Sequence, residues 1–172
     1  MNLPPLPLTV QRAHRYGLTA QDMQEVIEYL DTYDELGVMQ DSDNNSRWAY
    51  ACRGLLCAAI VAYCRPFIKN ESLGFATQRL GSKSFNAVRE RRAVHQLVIE
   101  KRNTFIAHAD WKARHAKILR VQANSVTWSM PTPNVWEGLD VKEFRRLVEG
   151  VYRECLDKGF EAAKQAGPVS SL

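Results

Sequence analysis

The chain has 172 residues, of which 45% are hydrophobic and 24% charged, with a net charge of +4. That length suits one ordinary domain able to bury roughly 70% of the surface of its unfolded chain, so neither a disulfide framework nor a structural metal is needed for stability. The charge is mildly basic, which permits contact with a phosphate backbone without requiring it. The longest apolar stretch, residues 54–63, is too short to span a bilayer and is flanked by Arg53 and Arg65. The start of the chain, with Pro4, Pro5 and Pro7, lacks the charged head and apolar core of a signal peptide. Cys52, Cys57, Cys64 and Cys155 show no metal-ligand spacing, and three of them lie in one apolar helical run. They read as buried free thiols, which suits a reducing cytoplasm. The expectation is a cytoplasmic protein with no membrane partner.

In chain order, the prolines predict an extended arm over residues 1–18. Thr19 with Asp22 resembles a capping pair that opens a first helix, and Met23, Val26, Ile27, Leu30 and Tyr33 follow at helical spacing. Gly37 and the polar run 40–46 predict its end and a loop. Ser46 is a good N-cap for a second helix. Its residues Trp48, Cys52, Leu55, Leu56, Ala59, Ile60 and Tyr63 are apolar on nearly every side, which predicts a central place, and Pro66 ends or kinks it. A short helix is predicted over residues 73–80, closed by Gly81. A third long helix is predicted from Ser82 or Ser84 to His108. Phe85, Val88, Val94, Leu97, Val98 and Phe105 form its apolar face, and Glu90, Arg91, Arg92, Glu100 and Lys101 its wet face.

Residues 116–135 contain an alternating run from Ser125 to Met130, consistent with a small hairpin or an ordered loop. The last helix is predicted from Asp140, with Glu143 completing a capping pattern and Phe144, Leu147, Val148, Val151, Tyr152 and Cys155 on one face. Residues 166–172 read as a flexible tail. The pattern predicts one all-α bundle over residues 19–165, built of four long helices with an additional short helix.

The segment Arg102-Asn103-Thr104-Phe105-Ile106-Ala107-His108 is where chemistry is concentrated. Arg offers a planar fork of donors that matches phosphate oxygens, and it can stabilise the extra charge of a pentacoordinate phosphate. His108 can exchange a proton near neutral pH, either taking one from an RNA 2′-hydroxyl or giving one to the leaving oxygen. Asn103 can orient the imidazole or hold a phosphate. No carboxylate cluster for a metal is evident, and no cofactor is called for. On a straight α-helix, Arg102 and His108 are separated by a rise of ~9 Å and an angular offset of ~120°. They do not stack within one chain, and a second copy across a two-fold axis would supply the alignment, so a homodimer is expected.

The bland reading of the same residues is that Asn103 and His108 pin the loop after the helix while Arg102 pairs with Asp110 or another acid nearby. His95, seven residues before Arg102, shares its face; it either lines the same groove or packs, or pairs at a dimer surface. Arg89, Arg91 and Arg92 with Lys101, Lys112 and Arg114 are a solvated face or a guide for RNA. Trp111 either stacks a base or packs. Trp48, Trp128 and Trp136 read as packing residues.

The Arg-Asn pair, followed by four residues and then His108 with Ala107 before it, resembles the Arg-polar-x-His motif of HEPN domains. The likeness is nearest to HEPN proteins of bacterial abortive-infection and toxin systems. It is carried by residues 99–110, and elsewhere extends only to helix number and order. The resemblance implies a four- or five-helix bundle, usually dimeric. It implies a metal-independent endoribonuclease with Arg102, Asn103 and His108 as the functional positions, and RNA and a cognate antitoxin protein as partners. The alternative that it leaves open is a non-catalytic module that binds a nucleotide or a partner protein.

Overall fold

A computed structural model describes residues 6–43, 46–68, 85–107, 117–122, 125–129 and 137–167. Five helical segments make up most of this. They are α1 (Leu8–Asp43), α2 (Ser46–Cys64), α3 (Asn86–Glu90), α4 (Arg92–Lys101) and α5 (Val141–Ala166). A 3₁₀ turn, Arg65–Phe67, follows α2, and a π-helical turn, Arg102–Ala107, follows α4. Between α4 and α5, β1 (Lys117–Gln122) pairs antiparallel with β2 (Ser125–Ser129). The architecture is the expected all-α bundle, with the hairpin rather than the ordered loop in residues 116–135.

α1 lies between two antiparallel neighbours. Along α5, Arg145 bonds Asp31 and Asp34 at 2.6 and 2.8 Å, and Gly159 reaches Tyr16 further along. Along α2, Arg65 pairs with Asp22 at 3.0 Å and with Glu25, while Cys52 Sγ lies 4.0 Å from the Tyr33 carbonyl. Exposed ion pairs of this kind stabilise little each, so the register is set mainly by the apolar interior. Met23, Val26 and Leu30 of α1 meet Leu56, Ile60 and Tyr63 of α2 and Phe144, Leu147, Val148 and Val151 of α5 in one buried cluster. Each such side chain contributes roughly 1.5–3 kcal/mol on leaving water.

Several boundaries differ from the sequence expectation. α1 begins at Leu8, not Thr19, so residues 8–18 are helix and not an extended arm. Thr19 is no cap: it is 2% exposed, and its hydroxyl donates to the Arg15 carbonyl at 2.9 Å, the back-bond of a mid-helix threonine. Asp22, freed from capping, pairs with Arg65. The backbone also stays helical through Gly37 to Asp43, because one glycine costs a helix only about 1 kcal/mol.

The expected third helix is broken. Arg91 leaves the helical well at φ −111°, ψ 39°, which separates α3 from α4. Its guanidinium reaches Glu90 at 3.5 Å and Glu143 on α5 at 3.6 Å. Lys101, expected on the wet face, is only 5% exposed. It stands seven residues after Val94 and three after buried Val98, on the same core-facing stripe. Burial pushes its ammonium below its ordinary value, with Glu137 and Glu100 opposing.

α2 ends where Pro66 predicts, and its C-terminal half is the buried one: Ala59, Ile60, Ala62, Tyr63 and Cys64 are in the core. α5 begins as expected. The Asp140 carboxylate accepts from the backbone N–H groups of Lys142 and Glu143 at 2.9 and 3.1 Å. Glu143 does not return a bond to the cap, since its carboxylate is taken by Arg146 and Arg91. Phe144, Leu147, Val148, Val151 and Cys155 are buried as the stripe predicts, and Tyr152 is half-buried. The helix runs through Ala166, one residue into the segment expected to be a tail, and stops at Gly167, whose φ of +73° suits only glycine. Cys52, Cys64 and Cys155 are buried free thiols and Cys57 is half-buried. The expected short helix over residues 73–80 lies outside the described residues. Among the described residues, no helix is long and apolar enough to cross a membrane.

Candidate functional site

α4 carries the site residues on a face whose other side is anchored in the core. Val98 is fully buried, and Cys64 Sγ approaches the Val98 carbonyl at 3.9 Å, fixing α4 against the end of α2. After Lys101 the hydrogen-bond pattern widens from i→i+4 to i→i+5, and this π-helical turn covers Arg102–Ala107. Such turns are rare, and they are frequent at functional sites. Here the turn coincides with six of the seven residues that the motif singles out.

Arg102 is half-buried and Asn103 exposed. Arg102 Nη1 donates to Asn103 Oδ1 at 3.0 Å, so the two adjacent polar side chains act as one unit and the Asn103 amide nitrogen remains a donor. Arg102 also stands near Cys64. Burial pushes that thiol up to about 12, with the Arg102 charge opposing. His108, the third expected site residue, lies outside the described residues, as do Lys112, Arg114, Trp111 and Trp136.

A depression of about 390 Å³ runs along this face, lined by His95, Gln96, Ile99, Glu100, Asn103 and Thr104. His95 therefore both lines the groove and packs. Its Nδ1 lies 2.8 Å from the Tyr63 hydroxyl, and its ring meets those of Phe67 and Tyr63 edge-on at 4.8 and 5.8 Å between centroids. Burial lowers its pKa, which favours the neutral imidazole. Burial likewise raises the Tyr63 phenol far above its ordinary value, with the neighbouring Cys64 adding to the effect, so the phenol keeps its proton. Sequence reasoning placed Tyr63 in the core and missed this role. The two residues are 32 apart in the chain, and no local pattern joins them.

Of the arginines that could guide RNA, Arg91 is engaged by Glu90 and Glu143, Arg89 bonds Asn86, and Arg92 is exposed. Trp48 is half-buried, in keeping with packing, and the backbone of Trp128 stands opposite that of Ile118 in the hairpin. A larger depression, about 610 Å³, lies between α1 and α5, lined by Leu18, Leu156, Phe160 and other mostly apolar residues. His14 is its one histidine. Among the described residues no group of three or more His, Cys, Asp or Glu side chains could hold a metal ion. The groups available at the α4 face are amide and hydroxyl hydrogen-bonding groups, the Arg102 guanidinium, the His95 imidazole and the Glu100 carboxylate. Comparison with family models, with characterised proteins and with solved structures finds no match to this chain.

Proposed function

We propose that this chain is a HEPN-like endoribonuclease of the toxin or phage-defence type, cleaving RNA without a metal in a groove between two copies. The observation that carries the reading is the coincidence of the motif with the site. Arg102 and Asn103 are bonded to each other in a π-helical turn, beside a depression lined by an imidazole, amide and hydroxyl groups and the Glu100 carboxylate.

In the reaction, the RNA 2′-oxygen attacks the adjacent phosphorus as the bond from phosphorus to the 5′-oxygen breaks. The 2′-hydroxyl gives up its proton and the leaving 5′-oxygen gains one, which yields a 2′,3′-cyclic phosphate and a 5′-hydroxyl. His108 is the proton-exchanging group. Arg102 holds the phosphate and stabilises its added charge, with Asn103 orienting the guanidinium.

The test is a cleavage assay on labelled single-stranded RNA in the presence of EDTA. The wild type is expected to cleave. His108→Ala and Arg102→Ala are each expected to lose at least about a hundredfold, the usual worth of a general acid-base group or of a charge-stabilising donor. Failure of the wild type to cleave RNA, or undiminished cleavage by His108→Ala, sinks the proposal.

A further inference from the structure

The Tyr63–His95 pair gives the depression a property that the motif alone does not. The Tyr63 hydroxyl is buried, and His95 Nδ1, at 2.8 Å, is its one hydrogen-bond partner among the described residues. A buried O–H without an acceptor costs about 1–3 kcal/mol, so its proton belongs on the line to Nδ1. Nδ1 must then be the unprotonated nitrogen. In a neutral imidazole the proton sits on Nε2, which points widely away from Nδ1 and has no partner among the described residues. The ring that carries it lines the depression together with Asn103 and Thr104.

We infer that Tyr63 locks His95 as the Nε2–H tautomer, and that this locked donor, with the Asn103 amide, binds a phosphodiester oxygen in the α4 depression. The ligand class rests on the nucleic-acid reading above; the tautomer lock does not. His95 is then a binding residue whose proton is already committed as a donor, and Tyr63 is the positioning residue that acts through it. The division of labour leaves proton transfer to another imidazole. Glu100 lines the same depression and sets a limit on charge. Its carboxylate repels a dianionic free phosphate more than a phosphodiester, which carries one negative charge per linkage.

The experiment is two-bond nitrogen–proton correlation NMR on the histidine rings of the full chain, followed by titration with a short single-stranded oligodeoxyribonucleotide. That probe keeps the phosphodiester and lacks the 2′-hydroxyl needed for cleavage. The expected result is an unprotonated Nδ1 at His95 in the wild type and a tautomer mixture in Tyr63→Phe. The oligonucleotide should shift His95 Nε2, and inorganic phosphate at equal concentration should shift it less.

His95→Gln, which keeps a donor near the Nε2 position, is expected to bind nearly as the wild type does. His95→Leu should weaken binding about tenfold or more, the worth of one hydrogen bond to a charged group. Tyr63→Phe should weaken it less, because part of its tautomer mixture keeps the Nε2 donor, with the folded amide spectrum retained in both. A protonated Nδ1 in the wild type overturns the lock, and unchanged affinity in His95→Leu overturns the binding role. A wild type that binds the oligonucleotide through His95 yet cleaves no RNA overturns the proposed reaction while supporting this assignment.

Discussion

At the scale of single residues, the four thiols sort by environment. Burial pushes Cys64 and Cys155 up to about 12, and it raises Cys57 less, with the Arg53 charge opposing. Thiolate is the reactive form, so a thiol at about 12 is almost wholly inert near pH 8. Brief exposure of the folded protein to iodoacetamide should label Cys57 first and leave Cys64 and Cys155 untouched until denaturant is added, as read by peptide mass spectrometry. Labelling of Cys64 at the rate of Cys57 in the folded state would contradict the packing of α2 against α4. The burial of Cys52 and Cys64 was legible in sequence because they fall on one apolar helix, whereas Cys57 on the same helix is half-buried. The lysine three residues beyond Val98 was not legible. A long cationic side chain is read as wet from its type, and only the path of α4 against the core decides that Lys101 is buried. Asn103 and Arg102 could be singled out from their neighbours in the motif, but the tie between Tyr63 and His95 is a tertiary fact with no local signature.

At the scale of elements, α3 and α5 meet so closely that a side-chain atom matters. A Cβ added at Gly150 would stand 2.5 Å from the Ala87 Cβ. Two effects compete in Gly150→Ala. The substitution favours the helix by roughly 0.5–1 kcal/mol, while forcing α3 away from α5 costs roughly 1–3 kcal/mol. The clash is larger, so the variant should be less stable, with its urea midpoint shifted down and its denaturant slope unchanged. A midpoint equal to or above that of the wild type would show that α3 is not held against α5 at this point. The elements themselves were unevenly visible. α5 was readable because Asp140 is a true cap and its stripe repeats cleanly. The start of α1 was not, because residues 8–18 gain their helical state from packing, where Tyr16 meets Gly159 of α5 and the ring of Phe85 at the start of α3. The break at Arg91 has neither Pro nor Gly to announce it. The widening into i→i+5 bonding after Lys101 likewise has no compositional mark.

At the scale of the whole molecule, the open question is how many chains make one site. The α-helical offset between Arg102 and His108 does not carry over unchanged, because residues 102–107 are π-helical. A turn with i→i+5 bonding takes more than four residues, so on a π-helix, as on an α-helix, a spacing of six residues falls between one turn and two. The expectation of a site completed by a second copy has a decisive test. Arg102→Ala and His108→Ala chains, each inactive alone, are co-refolded in equal amounts. If every site takes Arg102 from one chain and His108 from its two-fold partner, half of the dimers are mixed and each mixed dimer holds one intact site, restoring about a quarter of wild-type RNA cleavage. If each site is built within one chain, every site in the mixture lacks one residue and cleavage stays at the level of the single variants. Sedimentation of the mixture must show dimers for the comparison to be read. With dimers present, absence of rescue removes the shared groove and leaves Arg102 and His108 to work, if they work, within one chain.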